Sequence, residues 1–392
     1  MTQPTSRQRV CFVHGTWQLI MLASALKTEA ESGLADLCET VLVLYAPYEP
    51  YHDLRAHIRE MASFAGDWCR VVSVGAPLRN SRDDNQWPLP VDEWTASLRE
   101  QAGVENAAAV WLPSVIGFSE RLIAAAYPNA ELITYEEGLS TYSEQHLSAR
   151  TWRRVMRLGR DLPALVCRRR LGLHLRSGEL SDWRVPRSLF RRVKQVYTLL
   201  SSQLDVPEPF ARVTRVEVPI RIVRSTLEKV SAGCRRSSEH PLPRAPEGSL
   251  LFLAGMSHVD LPLSWDDEIS LYRSVVGELI EKGCGICWKE HPRETRPFNE
   301  ALRKHFSDRV FSVLDAPQEW PAEVLVDKTR FTQCVGTYSS SLYSLPMLFG
   351  TRTYTIASRL VSSAEGRMFP PLAMALRDIA DYRRVPAVKM VG

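Results

Sequence analysis

The sequence has little of what marks membrane-spanning, secreted or metal-dependent chains. No uninterrupted apolar run among its 392 residues approaches the ~20 residues that cross a bilayer. The segment Met1 to Val10 holds no apolar secretory core and runs straight into a short apolar stretch, which predicts a cytoplasmic chain. The eight cysteines are scattered through apolar text, as Cys11, Cys38 and Cys334 are, and read as reduced core thiols. Cys284-Gly-Ile-Cys287 has redox or metal spacing but no second ligand pair, so a buried-core role is expected. Asp-x-Asp and His-x-x-x-His are both missing, as are short-period repeats and low-complexity tracts.

Charge is distributed unevenly. The formal net charge is +4, yet Arg150 to Arg244 holds 22 Lys and Arg against 8 Asp and Glu, an excess of 14. Clusters such as Arg168-Arg169-Arg170 and Arg191-Arg192-Val-Lys194 sit among Trp152, Trp183 and leucines. Such text reads either as solvated helix faces or as a surface for an acidic polymer, an anionic lipid or a nucleic acid.

With 45% hydrophobic residues the chain is long enough for two domains, each with its own core. Arg9–His14, Thr40–Tyr45, Val71–Val74, Ala108–Leu112 and Leu132–Tyr135 read as strands. Helical patterns at Trp17–Glu31, Leu54–Phe64, Asp92–Glu100 and Phe118–Ala126 separate them, which predicts βαβ units and a parallel sheet. The basic stretch after Ala149 breaks the rhythm and reads as a mostly helical insertion, about 150–236. The Pro-rich passage 237–248 reads as a linker. The alternation resumes with Leu250–Gly255, a helix over Glu268–Glu281, and strands at Gly285–Pro292, Arg309–Val313, Phe331–Val335 and Arg352–Ile356. The expectation is two α/β domains, 1–236 and 249–392, with a last helix that is a candidate to pack back on the first. Ligands of such sheets bind beyond the carboxyl ends of the strands.

Several strand ends hold chemistry-bearing residues. Leu132-Ile-Thr-Tyr-Glu-Glu-Gly138 delivers two adjacent carboxylates, Glu136 and Glu137, and then a glycine suited to a sharp turn. In Lys289-Glu-His-Pro292, Pro292 ends the strand and sets His291 in the loop, with Lys289 as a fixed positive charge nearby. Ser339 and Ser340, after the strand ending Val335-Gly336, open a helix whose free N–H groups suit a phosphate; simple N-capping explains one serine of the run. Glu323, in the first turn after Trp320-Pro321, either complements the helix dipole or accepts the two hydroxyls of a ribose.

Together these elements resemble the bacterial sialyltransferases, above all the capsule alpha-2,8-polysialyltransferase and lipooligosaccharide sialyltransferase families. Their acidic-acidic-Gly, His-Pro and Ser-Ser/Thr motifs are matched by Glu136-Glu137-Gly138, His291-Pro292 and Ser339-Ser340, in the same order and in the expected halves. Pro321-Ala-Glu323 and the opening Val13-His-Gly-Thr-Trp-Gln-Leu19 are similar too, whereas the basic middle has no counterpart motif. The resemblance implies two facing Rossmann-like domains of GT-B type with a central cleft, the first binding acceptor and the second the CMP-sugar. It implies CMP-sialic acid as donor, inversion at the anomeric carbon, and no required metal or other cofactor. Glu137 is then the general base and Glu136 its support. Lys289, His291, Pro292, Glu323, Ser339, Ser340 and Gly255 bind CMP, with His291 also acting on the leaving phosphate. Gly138, His14, Thr16, Gln18 and Arg168 to Arg170 are acceptor-side candidates. The family's first loop usually has small or hydroxyl residues where this chain has His14, so a structural role for that imidazole stays equally open.

The expected partners are a sugar nucleotide and a glycan acceptor, a polyanionic capsule or lipooligosaccharide glycan among them. Peripheral attachment to the cytoplasmic face of the inner membrane stays open, and no nucleic-acid partner is expected. Another CMP-activated nonulosonate, Kdo or a nucleoside-diphosphate sugar are the alternative donors. A basic nucleic-acid-binding protein is the alternative from another class, but it leaves the three strand-end motifs unexplained.

Overall fold

The computed structural model describes residues 8–33, 39–45, 54–75, 91–115, 118–138, 187–199, 213–237, 249–255, 264–314, 316–326, 331–337, 339–356, 359 and 388–390. The chain divides into two compact units, Met1–Val223 and Arg224–Gly392. Past Ser237, the segment read as a linker lies outside the described residues, as do Arg168, Arg169, Arg170 and the stretch that would form a last helix.

The first unit holds a seven-stranded parallel sheet. In chain order its elements are β1 (Gln8–Val13), α1 (Thr16–Glu31), β2 (Glu39–Leu44), α2 (Arg55–Ala65), β3 (Arg70–Ser73), α3 (Val91–Ala102), β4 (Ala109–Leu112), α4 (Phe118–Ala126), β5 (Glu131–Tyr135), α5 (Arg187–Arg192), β6 (Val193–Thr198) and β7 (Thr214–Glu217). The strands lie in the order β3-β2-β1-β4-β5-β6-β7. The sheet thus grows one way from β1 and then reverses between β1 and β4, which makes that gap its topological switch point. Central strands of parallel sheets are covered on both faces, and Val10, Cys11, Phe12 and Val13 are accordingly all buried. Helix α1, which follows β1 directly, buries eleven of its sixteen residues.

Within the basic stretch, the described residues hold two helices, Arg187–Arg192 and Ile220–Ser237, and two strands, β6 and β7. Val193–Thr198 pairs with β5 and Thr214–Glu217 pairs with β6, so the α/β rhythm continues through the described part of that stretch. One of its cations has a structural partner. The Arg192 guanidinium donates to the carbonyls of Ala124 (3.1 Å) and Tyr127 (2.7 Å), where it meets the negative end of α4.

Helix α6 (Ile220–Ser237) contains the division between the units. The second unit continues with β8 (Leu250–Leu253), α7 (Trp265–Glu281), β9 (Ile286–Lys289), α8 (Asn299–Arg303), β10 (Phe311–Val313), α9 (Ala322–Leu325), β11 (Gln333–Gly336), α10 (Ser341–Phe349), β12 (Arg352–Thr355) and β13 (Val388–Met390). Its parallel sheet runs β10-β9-β8-β11-β12-β13, the same order as the first six strands of the first sheet, with its switch point between β8 and β11. Helix α7 begins with a capping box in which Ser264 and Asp267 satisfy each other's backbone N–H groups. At the centre of the core, the Phe252 and Trp288 rings stack 4.8 Å apart, and Tyr272 stands edge-on to both. Gly336 suits the close passage of β11 by β8, because a Cβ there would lie 3.2 Å from both Leu253 Cβ and Leu253 O. Among the described residues, no helix is long and apolar enough to cross a membrane.

Candidate active-site residues of the two units

In the first unit β5 delivers the carboxylate pair, and the two glutamates have different surroundings. The Glu136 amide donates to Tyr197 O (2.9 Å), and its carboxylate accepts the Leu199 amide (2.7 Å). Glu136 is therefore bound into the continuation of β6 and is 1% exposed. Glu137 is half-buried, consistent with the opposite orientation of successive extended residues. Gly138 follows at φ +128°, a conformation that side-chain-bearing residues rarely adopt.

A third carboxylate belongs to this neighbourhood, and sequence reading passed over it. Glu120, in the first turn of α4, is buried and accepts the Tyr45 hydroxyl at 2.7 Å. Burial, then Glu120, then Tyr135 and Glu137 push the Tyr45 hydroxyl far up. Tyr135 is likewise raised by burial, Cys11, Glu137 and Glu120, while its hydroxyl donates to Phe12 O at 2.6 Å. Both phenols thus stay protonated and act as donors. Tyr45 and Glu120 are 75 residues apart, so nothing in the local sequence pairs them.

His14 completes this group. Its Nε2 lies 3.7 Å from Glu120 Oε1, and the Tyr45 ring stands edge-on 5.0 Å away. Gln18 Oε1 accepts the His14 amide at 3.0 Å, so the Gln18 amide nitrogen, 3.0 Å from His14 Nε2, is the donor there. The neutral imidazole then carries its proton on Nδ1. Thr16, the first residue of α1, is buried. His14, Thr16 and Gln18 therefore stand together at the end of β1, beside the switch point. Replacing Tyr45 by Phe is expected to destabilise the protein by roughly 1–3 kcal/mol, because the buried Glu120 loses its donor. Urea unfolding measures this; a change below about 0.5 kcal/mol would show that Glu120 does not depend on the Tyr45 hydroxyl.

In the second unit β9 ends at Lys289. This ammonium is buried and donates to Glu290 O and Gln318 O, both at 3.1 Å. Burial pulls its pKa down to about 8, against the opposing pull of Glu323, Glu290 and Glu319. Lys289 thus meets two protein carbonyls in this structure. Glu290, which sequence reading did not single out, accepts the Trp288 indole N–H (2.8 Å) and the Asn299 amide (2.7 Å) on one oxygen. Its other oxygen is buried without a hydrogen-bond partner, and burial raises the carboxyl to about 7.

His291 is half-buried in the turn that follows, with Pro292 beside it. Its Nδ1 accepts the Arg293 amide at 3.2 Å, so the neutral ring carries its proton on Nε2. Burial, Arg293 and Lys289 depress the imidazole to about 3, with Glu268 opposing. The Gln318 side chain fixes the turn by donating to His291 O (2.7 Å) and Glu294 O (2.8 Å).

The remaining groups gather near the ends of β8 and β11. Glu323 is buried and accepts the Ser344 hydroxyl; burial raises it, while Ser344, Ser341 and Lys289 oppose. The Ser339 hydroxyl accepts the Ser341 amide at 3.2 Å. Ser340 occupies the N-cap of α10 but makes no side-chain cap bond, and both serines are half-buried. The Gly255 amide donates to Tyr272 Oη at 2.9 Å. Lys289, Glu323 and the serine turn thus form one connected group. Gly255 is tied instead to Tyr272.

These shifts set an acid response. The native protein refuses a proton at His291 until about pH 3, whereas the unfolded chain takes it near 6.5, so this group's contribution to stability falls as pH drops through that window. Glu290 has the opposite sign: its native carboxyl keeps a proton up to about 7, against 4.5 unfolded, so its contribution is lost as pH rises from 4.5 to 7. Below pH 4.5 His291 acts without that opposition. His291→Gln is therefore expected to flatten the loss of stability between pH 4.5 and 3. Urea melts at those two pH values test this, and an unchanged slope would refute the assignment.

Comparison with known proteins places these residues in context. No curated protein sequence matches the chain. Solved structures with a similar trace include a sialyltransferase from Photobacterium damsela, 12% identical, covering 99% of this chain and 82% of that one at a TM-score of 0.46. Another is the Methanocaldococcus jannaschii UDP-GlcNAc 2-epimerase in complex with UDP-GlcNAc and UDP, 11% identical, with 98% and 89% coverage and a TM-score of 0.49. A third is MurG from Acinetobacter baumannii, 12% identical, with 98% and 86% coverage and a TM-score of 0.44. The sequence model of the alpha-2,8-polysialyltransferase family matches residues 9–358, a span that includes the carboxylate pair, the His-Pro turn and the serine turn. The chain therefore belongs to the alpha-2,8-polysialyltransferase family, as an enzyme of sialyl transfer from a nucleotide-sugar donor to a glycan acceptor.

Proposed function

We propose that the protein transfers sialic acid from CMP-sialic acid to a glycan acceptor with inversion at the anomeric carbon. The observation that carries this reading is the division of labour at the end of β5. Glu136 is bound into the sheet through Leu199 N–H, whereas Glu137 is half-buried. Glu137 takes the proton of the acceptor hydroxyl as its oxygen attacks the anomeric carbon and the bond to the CMP phosphate breaks. His291 donates Nε2–H to the phosphate as its charge grows, and the Ser339–Ser340 turn supplies further donors. Lys289 adds its positive charge. Glu323, held by Ser344, is the candidate ribose acceptor and must exchange that bond to serve.

A panel of CMP- and nucleoside-diphosphate-activated sugars, assayed for nucleotide release with and without sialylated acceptors, tests the donor. Turnover of CMP-sialic acid that survives excess EDTA is expected. Preference for CMP-Kdo or another nonulosonate would keep the site and change the sugar. A strict metal requirement with a nucleoside-diphosphate sugar would overturn the reading.

The basic segment between Arg150 and Arg244 is assigned to a polyanionic capsule or lipooligosaccharide acceptor. Its excess of 14 positive charges exceeds what two sheet cores require. Replacing Arg168, Arg169 and Arg170 together by Gln is expected to raise the acceptor KM in a salt-sensitive way, since screening sets in near 10 Å at about 0.1 M salt. The donor KM stays constant. Loss of liposome binding with unchanged acceptor kinetics would make a membrane surface the partner.

A further inference from the structure

One residue outside the groups assigned so far ties two of them together. Gln318 lies half-buried in the loop between β10 and α9. Its side-chain nitrogen donates to His291 O at 2.7 Å and to Glu294 O at 2.8 Å, and its own main-chain carbonyl accepts the Lys289 ammonium at 3.1 Å. The His291 carbonyl also accepts the Glu294 amide at 3.0 Å, so both of its lone pairs are engaged. The turn is therefore closed from within and clamped from a second loop, one that leads directly into α9 and Glu323. A carboxamide suits this clamp, because one nitrogen offers two uncharged donors to two carbonyls.

The clamp matters because of how His291 meets the phosphate. A cation attracts an anion from any direction, whereas a neutral imidazole acts through one N–H whose bond weakens steeply as its angle closes. The ring carries that proton on Nε2, since Nδ1 accepts the Arg293 amide at 3.2 Å. Where Nε2–H points depends on the turn, and Gln318 holds the turn. We propose that Gln318 is a positioning residue of the donor site, which aims the His291 Nε2–H at the leaving phosphate by holding the His-Pro turn against the loop that leads to Glu323. This rests on the assignment of His291 to that phosphate. Gln318 acts without touching the nucleotide, and its loss reads out through His291 in kcat. A displacement on the order of 1 Å at a reacting group costs up to about 10²-fold.

The test is a double-mutant cycle in the full chain. Gln318→Met fills the same space without a donor. CMP release against donor concentration is followed for wild type, Gln318→Met, His291→Ala and the double variant, with thermal melting of each. Gln318→Met is expected to lower kcat by about 10–100-fold with donor KM changed less than about threefold. In the His291→Ala background the same substitution should cost less than about threefold, because the group it aims is gone. Gln318→Asn, which keeps both N–H groups on a stem one methylene shorter, provides the same cycle if Gln318→Met does not fold. Trp265→Phe is the control for a loosened turn: it removes the indole donor to Arg296 O (2.9 Å) in the same segment and should keep wild-type kcat. An equal kcat loss from Gln318→Met in both backgrounds would overturn the inference, as would kcat losses that follow melting temperature in Trp265→Phe as well. Unchanged kcat in Gln318→Met beside a large loss in His291→Ala sinks the positioning role alone. If His291→Ala keeps full turnover, the reading of His291 fails first, and this inference falls with it.

Discussion

Replacing Glu137 by Gln is expected to leave CMP binding intact and to cut transfer by roughly 10²–10⁴-fold, the range that a positioned general base contributes. The amide keeps the size and hydrogen-bonding reach of the side chain but cannot take a proton. CMP affinity from calorimetry and turnover from CMP release separate the two effects, because the residues proposed to bind CMP all belong to the second unit. Glu136→Gln is expected to be mild, since an amide oxygen still accepts the Leu199 N–H. Near-normal turnover in Glu137→Gln would remove it as the base. Loss confined to Glu136→Gln would exchange the two roles.

His291→Ala is expected to lower kcat by about 10²–10³-fold, the loss seen when one preorganised donor to developing charge is removed. CMP affinity should change far less, because a neutral imidazole meets the ground-state phosphate with a single N–H. A rate preserved within threefold of wild type would move the leaving-group role to another residue. If binding and rate fell together, His291 would be a binding group without selective action on the transition state.

Local chemistry explains which parts of this were legible beforehand. Strands such as Val10–Val13 and Leu250–Leu253 are apolar on both faces and announce themselves. Strand β6 hid because Arg191, Arg192 and Lys194 surround its start, and β7 because Thr-Arg-Val-Glu holds a single apolar residue. The carboxylate pair was visible as charge at the end of an apolar run. Its difference in burial was not, because it depends on Leu199, 63 residues away. Lys289 was expected as a fixed positive charge near His291, and its burial with the rest of β9 could not be read from the sequence. Strand alternation could not say which group would be left free, and the carbonyls of Glu290 and Gln318 claim the ammonium.

The last strand of the second sheet bears on how that unit assembles. One short stretch of three residue pairs attaches Val388–Met390 to β12, and it comes from a segment far along the chain from the strand it covers. Until that segment docks, the side of β12 away from β11 is uncovered, an edge able to recruit another chain. Non-local parallel pairing forms slowly, because loop closure precedes any reward from contacts. The second unit therefore has a window during folding in which a half-finished sheet is sticky. The concentration of the chain during refolding, more than the strength of the finished core, then governs how much of it reaches the native state.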